Sequence, residues 1–469
     1  MVQRVLEFLE TEHDAILSRL KTYLRIPSVS PDPAFGVHMA HARQYLAARL
    51  SDIGLANIRE LDGGGEPAVY GEWLGAPGKP TVLIYGHYDV QPEDPIELWK
   101  SPPFEPTERD GCLFARGASD VKGPTSIALE VVAAFLAVAG GCPVNVKVFL
   151  EGEEETGSPT LAEIITRHRE LLSVDAVLSA DGGRASAVVP TINTGARGNG
   201  QLEFRIQTAV KDLHSGRYGG CVRNALHEMA RLVSSLHDSD GAVAVEGFYA
   251  DAKTPTSLQR SDTAAFPFDE NAFIADVAAS HHGEPGFTLR EQVTLRPALD
   301  VNGMWGGYTG QGGKTIIPNV ATAKLTVRLV EGQQSKDVLG HVVQHLRRHC
   351  PEGVSLEILH QHNGAPASSL PSWHPLVRAT QTVLRNETGR EPIQVRLGAS
   401  VPITAIFKSM LGIETLMFGY NLPDEDVHAP NEFFRLRSIG EGLRGWSLLL
   451  DELGRYEIPA FHTESARQR

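Results

Sequence analysis

Apolar residues recur at helical spacing near the start of the chain, at Ile16, Leu17, Leu20 and Leu24, until "RIPSVSPDP" breaks the pattern. A second predicted helix carries Ala42, Leu46, Leu50 and Ile53 on one face, with Gly54 as its stop signal. A short, continuously apolar run follows, "TVLIYG" at 81–86, and further predicted strands are "VNVKVFL" at 144–150 and "DAVLSA" at 175–180. They alternate with predicted helices over 125–138 and 160–172. Strands that are apolar on both faces and separated by helices predict an α/β fold, a mostly parallel sheet flanked by helices on both faces.

After "TGARG" the texture changes. "QLEFRIQ" alternates Leu202, Phe204 and Ile206, as expected of a sheet with one wet face. A helix over 222–236 is followed by a long polar stretch to about residue 320, then the alternating strand "AKLTVRLV", a helix over 335–348 and "VSLEIL". This reads as a smaller α+β domain, strand-helix-strand-helix-strand, inserted into the first. Beyond "NGAPASSLPSW" come a helix over 376–384, a strand "ETLMFG" at 414–419 and a terminal helix over 439–453. The predicted division is 1–195 and 367–469 for the main domain and 196–366 for the insert.

A chain of 469 residues is long for a single core, which agrees with two domains. With 57 acidic against 43 basic residues, the net charge of −14 argues against nucleic acid or an anionic membrane as partner. Cys112, Cys142, Cys221 and Cys350 stand far apart, with no CxxC pair for a structural zinc or a redox dithiol. Acidic residues occupy the N-terminal segment where a signal peptide needs an apolar core, and no run approaches about 18 uninterrupted apolar residues. The expectation is a cytoplasmic protein.

The potential ligands fall in a pattern. "GHYDV" puts His87 and Asp89 just past one apolar strand, "FLEGEEE" puts its glutamates past the next, and "SADGG" puts Asp181 past a third. In an open parallel sheet these carboxyl ends share one edge, where such folds place their sites. Asp120 in "RGASDVKGP" and His428 in "DEDVHAPNE" complete a set of imidazoles and carboxylates without a thiolate, suited to Zn²⁺, Mn²⁺ or Co²⁺. Taken singly, each is more often a solvated acid or a satisfied histidine; together at strand ends they point to a metal site.

The motifs "YGHYDVQP", "RGASDVKGP", "EGEEETGS", "SADGG", "DLHSGRYGG", "IIPNVATAKLTVRLV" and "HAPNE" stand in an order and spacing that resembles the M20 family of metallopeptidases. The likeness is greatest to its dipeptidases of the carnosinase and cysteinylglycine dipeptidase kind. The resemblance spans nearly the whole chain. It implies a di-zinc exopeptidase-like catalytic domain in which His87 and Asp181 hold one divalent ion, Glu155 and His428 the other, and Asp120 bridges both. It further implies that Asp89 orients an imidazole and that Glu154 is the general base for a water bridging two metal ions, most simply Zn²⁺. Glu151 and Glu153 are then solvated or structural carboxylates.

The resemblance also implies that the inserted domain serves as lid and dimerisation surface. His214 would cross a homodimer interface to reach a partner subunit's active site, and Arg328 would grip the carboxylate of a small peptide substrate. Read alone, the first is a surface histidine and the second a strand-surface arginine paired with an acid. The resemblance further implies that an Asp at the position of Asp181 goes with dipeptidases or aminopeptidases, whereas Glu there goes with carboxypeptidases and N-acyl-amino-acid deacylases. One stretch departs: against R-E-G-G-S-I-P-V the chain has "RLGASVPI", so Ser400 remains to help hold a carboxylate while Leu397 replaces a glutamate and Ala399 a glycine. The leading expectation is hydrolysis of dipeptides with a free C-terminal carboxylate. The alternatives are an N-acyl- or N-carbamoyl-amino-acid amidohydrolase and a non-catalytic binding protein.

Overall fold

The computed structural model describes residues Met1–His462 and divides into two compact units. One comprises Met1–Thr194, Leu370–Val395 and the chain from Pro402 onward; the other comprises Gly195–Ser369 with the short segment Arg396–Val401.

The first unit is built on a sheet in the order Ala56–Leu61, Ala68–Trp73, Asn145–Glu151, Thr81–His87, Ala176–Ser179, Thr415–Met417, continued by Thr191–Ala196. The four strands from Asn145–Glu151 to Thr415–Met417 are mutually parallel, and the pairs outside them are antiparallel. Alternate side chains face opposite layers. Val82, Ile84, Val146, Val148 and Leu178 join one core with helices Lys122–Ala134 and Leu436–Leu453. On the other face Tyr85 and Phe149 pack edge-on against Phe407 of helix Pro402–Leu411, with ring centroids 5.9 and 6.4 Å apart. Each face thus removes a layer of apolar surface from water. Gly86 lets the strand and helix approach: a Cβ there would stand 2.3 Å from Thr125 Oγ1. That close packing brings His87 beside the turn that leads into helix Lys122–Ala134.

The segment Lys122–Ala139 is long and apolar enough to cross a membrane, but 67% of it is buried inside the fold, as expected of a core helix. The helix expected over 160–172 is shorter, Leu161–Arg167; past it the chain turns so that Leu172 still reaches the core. The strand expected over 414–419 is Thr415–Met417.

The second unit holds a four-stranded antiparallel sheet in the order Ala298–Gly306, Val320–Leu329, Gly198–Gln207, Ser355–His362. Leu202, Phe204, Ile206, Leu325 and Val327 pack under helices Ala225–Ser234 and Ser335–His349. The long polar stretch is more ordered than its sequence suggested. It contains helices Ser257–Ala265, Glu270–Asp276 and Leu289–Leu295, and the edge strand Ala298–Gly306 is a fourth strand where three were expected.

Candidate metal centre

His87 ends its strand and is fully buried. Its Nδ1 lies 3.0 Å from the backbone carbonyl oxygen of Asp89, an acceptor that assigns the proton to Nδ1 and leaves a lone pair on Nε2. That Nε2 is buried without a hydrogen-bond partner and faces Asp120 Oδ1 at 3.2 Å. A lone pair opposed to a carboxylate is repulsive unless a proton or a cation lies between them. The imidazole is accordingly driven towards its charged form: burial opposes it, but Asp120 and Asp89 hold its pKa well above the usual value. The same arrangement of an oriented ring and an orphaned nitrogen among carboxylates fits a metal ligand.

Asp120 sits in the turn before helix Lys122–Ala134, and this turn is cradled from far along the chain. The backbone N–H groups of Gly117, Ser119 and Asp120 donate to the carboxylate of Glu432 at 2.9, 2.9 and 3.0 Å, while Arg116 pairs with it at 2.9 Å. Glu432 is fully buried, and burial raises its pKa. Burial works in the same direction at Asp120, but the hydrogen bond with His428 and the close His87 imidazole reverse it and hold Asp120 well below the usual carboxylate range.

His428 has a left-handed backbone, φ 63°. Its Nε2 stands 2.9 Å from Asp120 Oδ2 and 3.1 Å from Glu155 Oε2, and those two bonds raise its pKa to about 10. Glu155 is fixed on its other sides. Gln91 Nε2 donates to its Oε2 at 2.9 Å and to its backbone carbonyl at 3.1 Å, and its own N–H donates to Asp89 Oδ2 at 3.0 Å. Two groups of ligand atoms result, His87 with Asp120 and Asp181, and Asp120 with Glu155 and His428, each with its atoms within 4.8 Å of one another. Asp120 belongs to both. The donors are imidazole nitrogen and carboxylate oxygen, a set that suits zinc, manganese or cobalt.

Glu154 Oε2 lies 4.0 Å from His87 Nε2. Burial, with repulsion from Asp181, Glu155 and Asp120 against the pull of His87, raises its pKa to about 8. Asp181 rises to about 6, mainly through burial and then the charge of Asp120. Glu151 and Glu153 have structural partners. Tyr85 donates to the buried Glu151 at 2.7 Å, and Glu153 takes the N–H of Glu66 at 3.1 Å and the hydroxyl of Thr160. Asp89 departs from the expectation in one respect. Its carbonyl oxygen is the close partner of His87, the nearer carboxylate oxygen standing 3.4 Å from Nδ1, and its Oδ2 instead ties down Glu155.

In the second unit, Arg328 Nη1 donates to Ser400 Oγ at 3.0 Å, which joins two residues singled out from distant motifs. Arg197 steadies the same loop, donating from Nε to the carbonyl of Gly398 at 2.8 Å. Its own pKa falls to about 10 through burial and then the nearby Arg328. His214 lies exposed at the end of a two-residue strand, its Nδ1 accepting the N–H of Gly216 at 3.0 Å so that Nε2 is left for outward contacts. Glu432, Gln91 and Arg197 carried no signal of their own beyond membership of the quoted motifs.

The fold and site define an enzyme of the metal-dependent peptidase class. Residues 83–452 match Peptidase family M20/M25/M40, and the chain belongs to that family, as a hydrolase. It is 28% identical to the Beta-Ala-His dipeptidase of Homo sapiens over 471 aligned residues, covering 95% of this chain and 91% of that protein. Among solved structures it resembles the di-peptidase Dug1p from Saccharomyces cerevisiae, with a TM-score of 0.76, 25% identity and coverage of 97% and 99% of the two chains. It also resembles the metallo-carboxypeptidase Sso-CP2 from Sulfolobus solfataricus, with a TM-score of 0.78, 29% identity and coverage of 94% and 99%.

Proposed function

We propose that the chain hydrolyses the amide bond of small dipeptides bearing a free C-terminal carboxylate, with two divalent ions at the centre formed by His87, Asp120, Asp181, Glu155 and His428. The observation that carries this reading is Asp120, whose two oxygens face one histidine each, His87 at 3.2 Å and His428 at 2.9 Å. His87 and Asp181 would hold one ion and Glu155 and His428 the other, with Asp120 shared. Zn²⁺ is the simplest choice, and Mn²⁺ or Co²⁺ suits the same donors. Ions held there supply Lewis acidity, polarising the scissile carbonyl and making water more acidic.

Glu154 takes the proton of the attacking water and delivers it to the amine as the carbon–nitrogen bond breaks. A carboxyl lifted by burial is suited to both transfers. Asp89 keeps the proton on Nδ1 of His87, so that Nε2 faces the centre. Arg328, with Ser400 beside it, grips the substrate carboxylate through its planar fork. His214 of the partner subunit donates to the oxygen that gains charge in the transition state, which makes the working form a homodimer and the second unit its lid and interface. All four cysteines are free, in keeping with a reducing cytoplasm.

The loop around Ser400 supports a second reading. Leu397 and Ala399 leave it without the acid that would meet a cationic substrate group, as an N-acyl- or N-carbamoyl-amino-acid hydrolase would require. A panel of free dipeptides and matched N-acetyl amino acids distinguishes the two. Cleavage of the free dipeptides is expected; turnover confined to the blocked amino acids would overturn the dipeptidase assignment.

A further inference from the structure

The segment Ile26–Ser30 lies upstream of the residues that match the family, and its sequence signalled only the end of a helix. In the fold it runs along His87–Val90. Val29 and Val90 form a parallel bridge, the N–H of Val90 donates to the carbonyl of Ser28 at 2.9 Å, and Ser28 Oγ donates to the carbonyl of Tyr88 at 2.5 Å. Its other end is tied to the Asp120 turn. Lys122, two positions past Asp120 and fully buried, donates from Nζ to the carbonyl of Ile26 at 2.6 Å and lies 4.8 Å over the ring of Tyr23. One short stretch of chain therefore touches both the strand end that presents His87 and the turn that presents Asp120.

Ser30 completes the arrangement. Its Oγ donates to Asp89 Oδ2 at 2.6 Å, the same oxygen that receives the N–H of Glu155 at 3.0 Å. Asp89 Oδ1 is buried without a hydrogen bond, its nearest cationic neighbour being His87 Nδ1 at 3.4 Å, so the hydrogen bonds from the Ser30 hydroxyl and the Glu155 amide fix this carboxylate. Rotation of Asp89 would release the backbone of Glu155 and disturb the residue whose carbonyl orients His87. We propose that Ser30 is a positioning residue of the metal centre, holding Asp89 so that Glu155 and His87 keep their places. The proposal rests on the two-ion reading given above.

The test is the Zn²⁺ affinity of the full-length chain, measured by chelator competition for wild type, Ser30→Ala and Ser30→Thr, with urea unfolding of each protein in its metal-free form. Ser30→Ala is expected to weaken at least one Zn²⁺ site by about tenfold or more, the usual scale for a partner behind a ligand. Its metal-free unfolding midpoint stays at the wild-type value, and Ser30→Thr, which keeps the hydroxyl, restores affinity. Wild-type affinity in Ser30→Ala would overturn the proposal alone. So would a loss of affinity matched by a loss of metal-free stability that threonine does not repair. A wild-type chain that takes up no Zn²⁺ would remove both this proposal and the reading beneath it.

Discussion

Among the neighbouring acids of "EGEEE", position on an irregular turn decides the role. Glu151 ends a strand and points into the fold to meet Tyr85, Glu153 accepts from Glu66 and Thr160, Glu155 faces His428, and Glu154 is left beside His87. Glu154→Gln should therefore keep wild-type metal content and lose roughly 10²- to 10⁴-fold in kcat, the scale of general acid–base catalysis. An active, metal-loaded variant would contradict this. Arg328→Lys keeps the charge and loses the fork; KM for free-carboxylate dipeptides should rise roughly 10- to 100-fold, as for a lost charge-assisted bond. C-terminal amides should be nearly unaffected, and equal losses on both would refute the carboxylate grip. The candidate ligands His87, Glu155 and Asp181 were legible because they fall just past apolar strands, whereas Asp120 and His428 lie in turns and were found only through the motifs that hold them. Their supports were not legible, because a hydrogen bond such as that from Gly117 to Glu432, 315 positions away, leaves no local pattern.

At the scale of elements, hydrophobic period located what is buried and missed what is not. Helices Ser257–Ala265 and Glu270–Asp276 bury no residue, so no apolar stripe announces them; a Thr256–Gln259 capping box starts the first and Asp269 caps the second. Strand Ala298–Gly306 was hidden by exposure and by a register shift between Val301 and Gly303 that interrupts its alternation. Another cap carries a pH effect. His374, fully buried, precedes helix Pro375–Thr388 and accepts the N–H of Leu376 at Nδ1, so it must be neutral when folded. Burial, with Lys408 and His462 nearby, lowers its pKa to about 4. The unfolded chain binds the proton first, so stability is lost as pH falls from about 6.5 towards 4, by about 2 kcal/mol between pH 7 and pH 5. His374→Asn retains a capping oxygen and does not titrate. Urea midpoints should fall less steeply with acid in this variant than in wild type, and equal slopes would reject the account.

For the whole molecule, the proposed homodimer makes each active site a product of two chains. Glu154→Gln and His214→Ala should each be nearly inactive. After subunit exchange, hybrid dimers carry one site with both groups intact, and an equal mixture should recover about a quarter of wild-type activity if pairing is random. No recovery despite exchange would place His214 outside the site. The central claim, that two ions shared through Asp120 make this chain a hydrolase of dipeptides, is tested most directly by stripping the protein with chelator and titrating Zn²⁺ back while counting bound metal and dipeptide turnover together. The account predicts two ions per chain, with full turnover reached only as the second is bound. Turnover by metal-free protein, or saturation at a single ion with full activity, would contradict it.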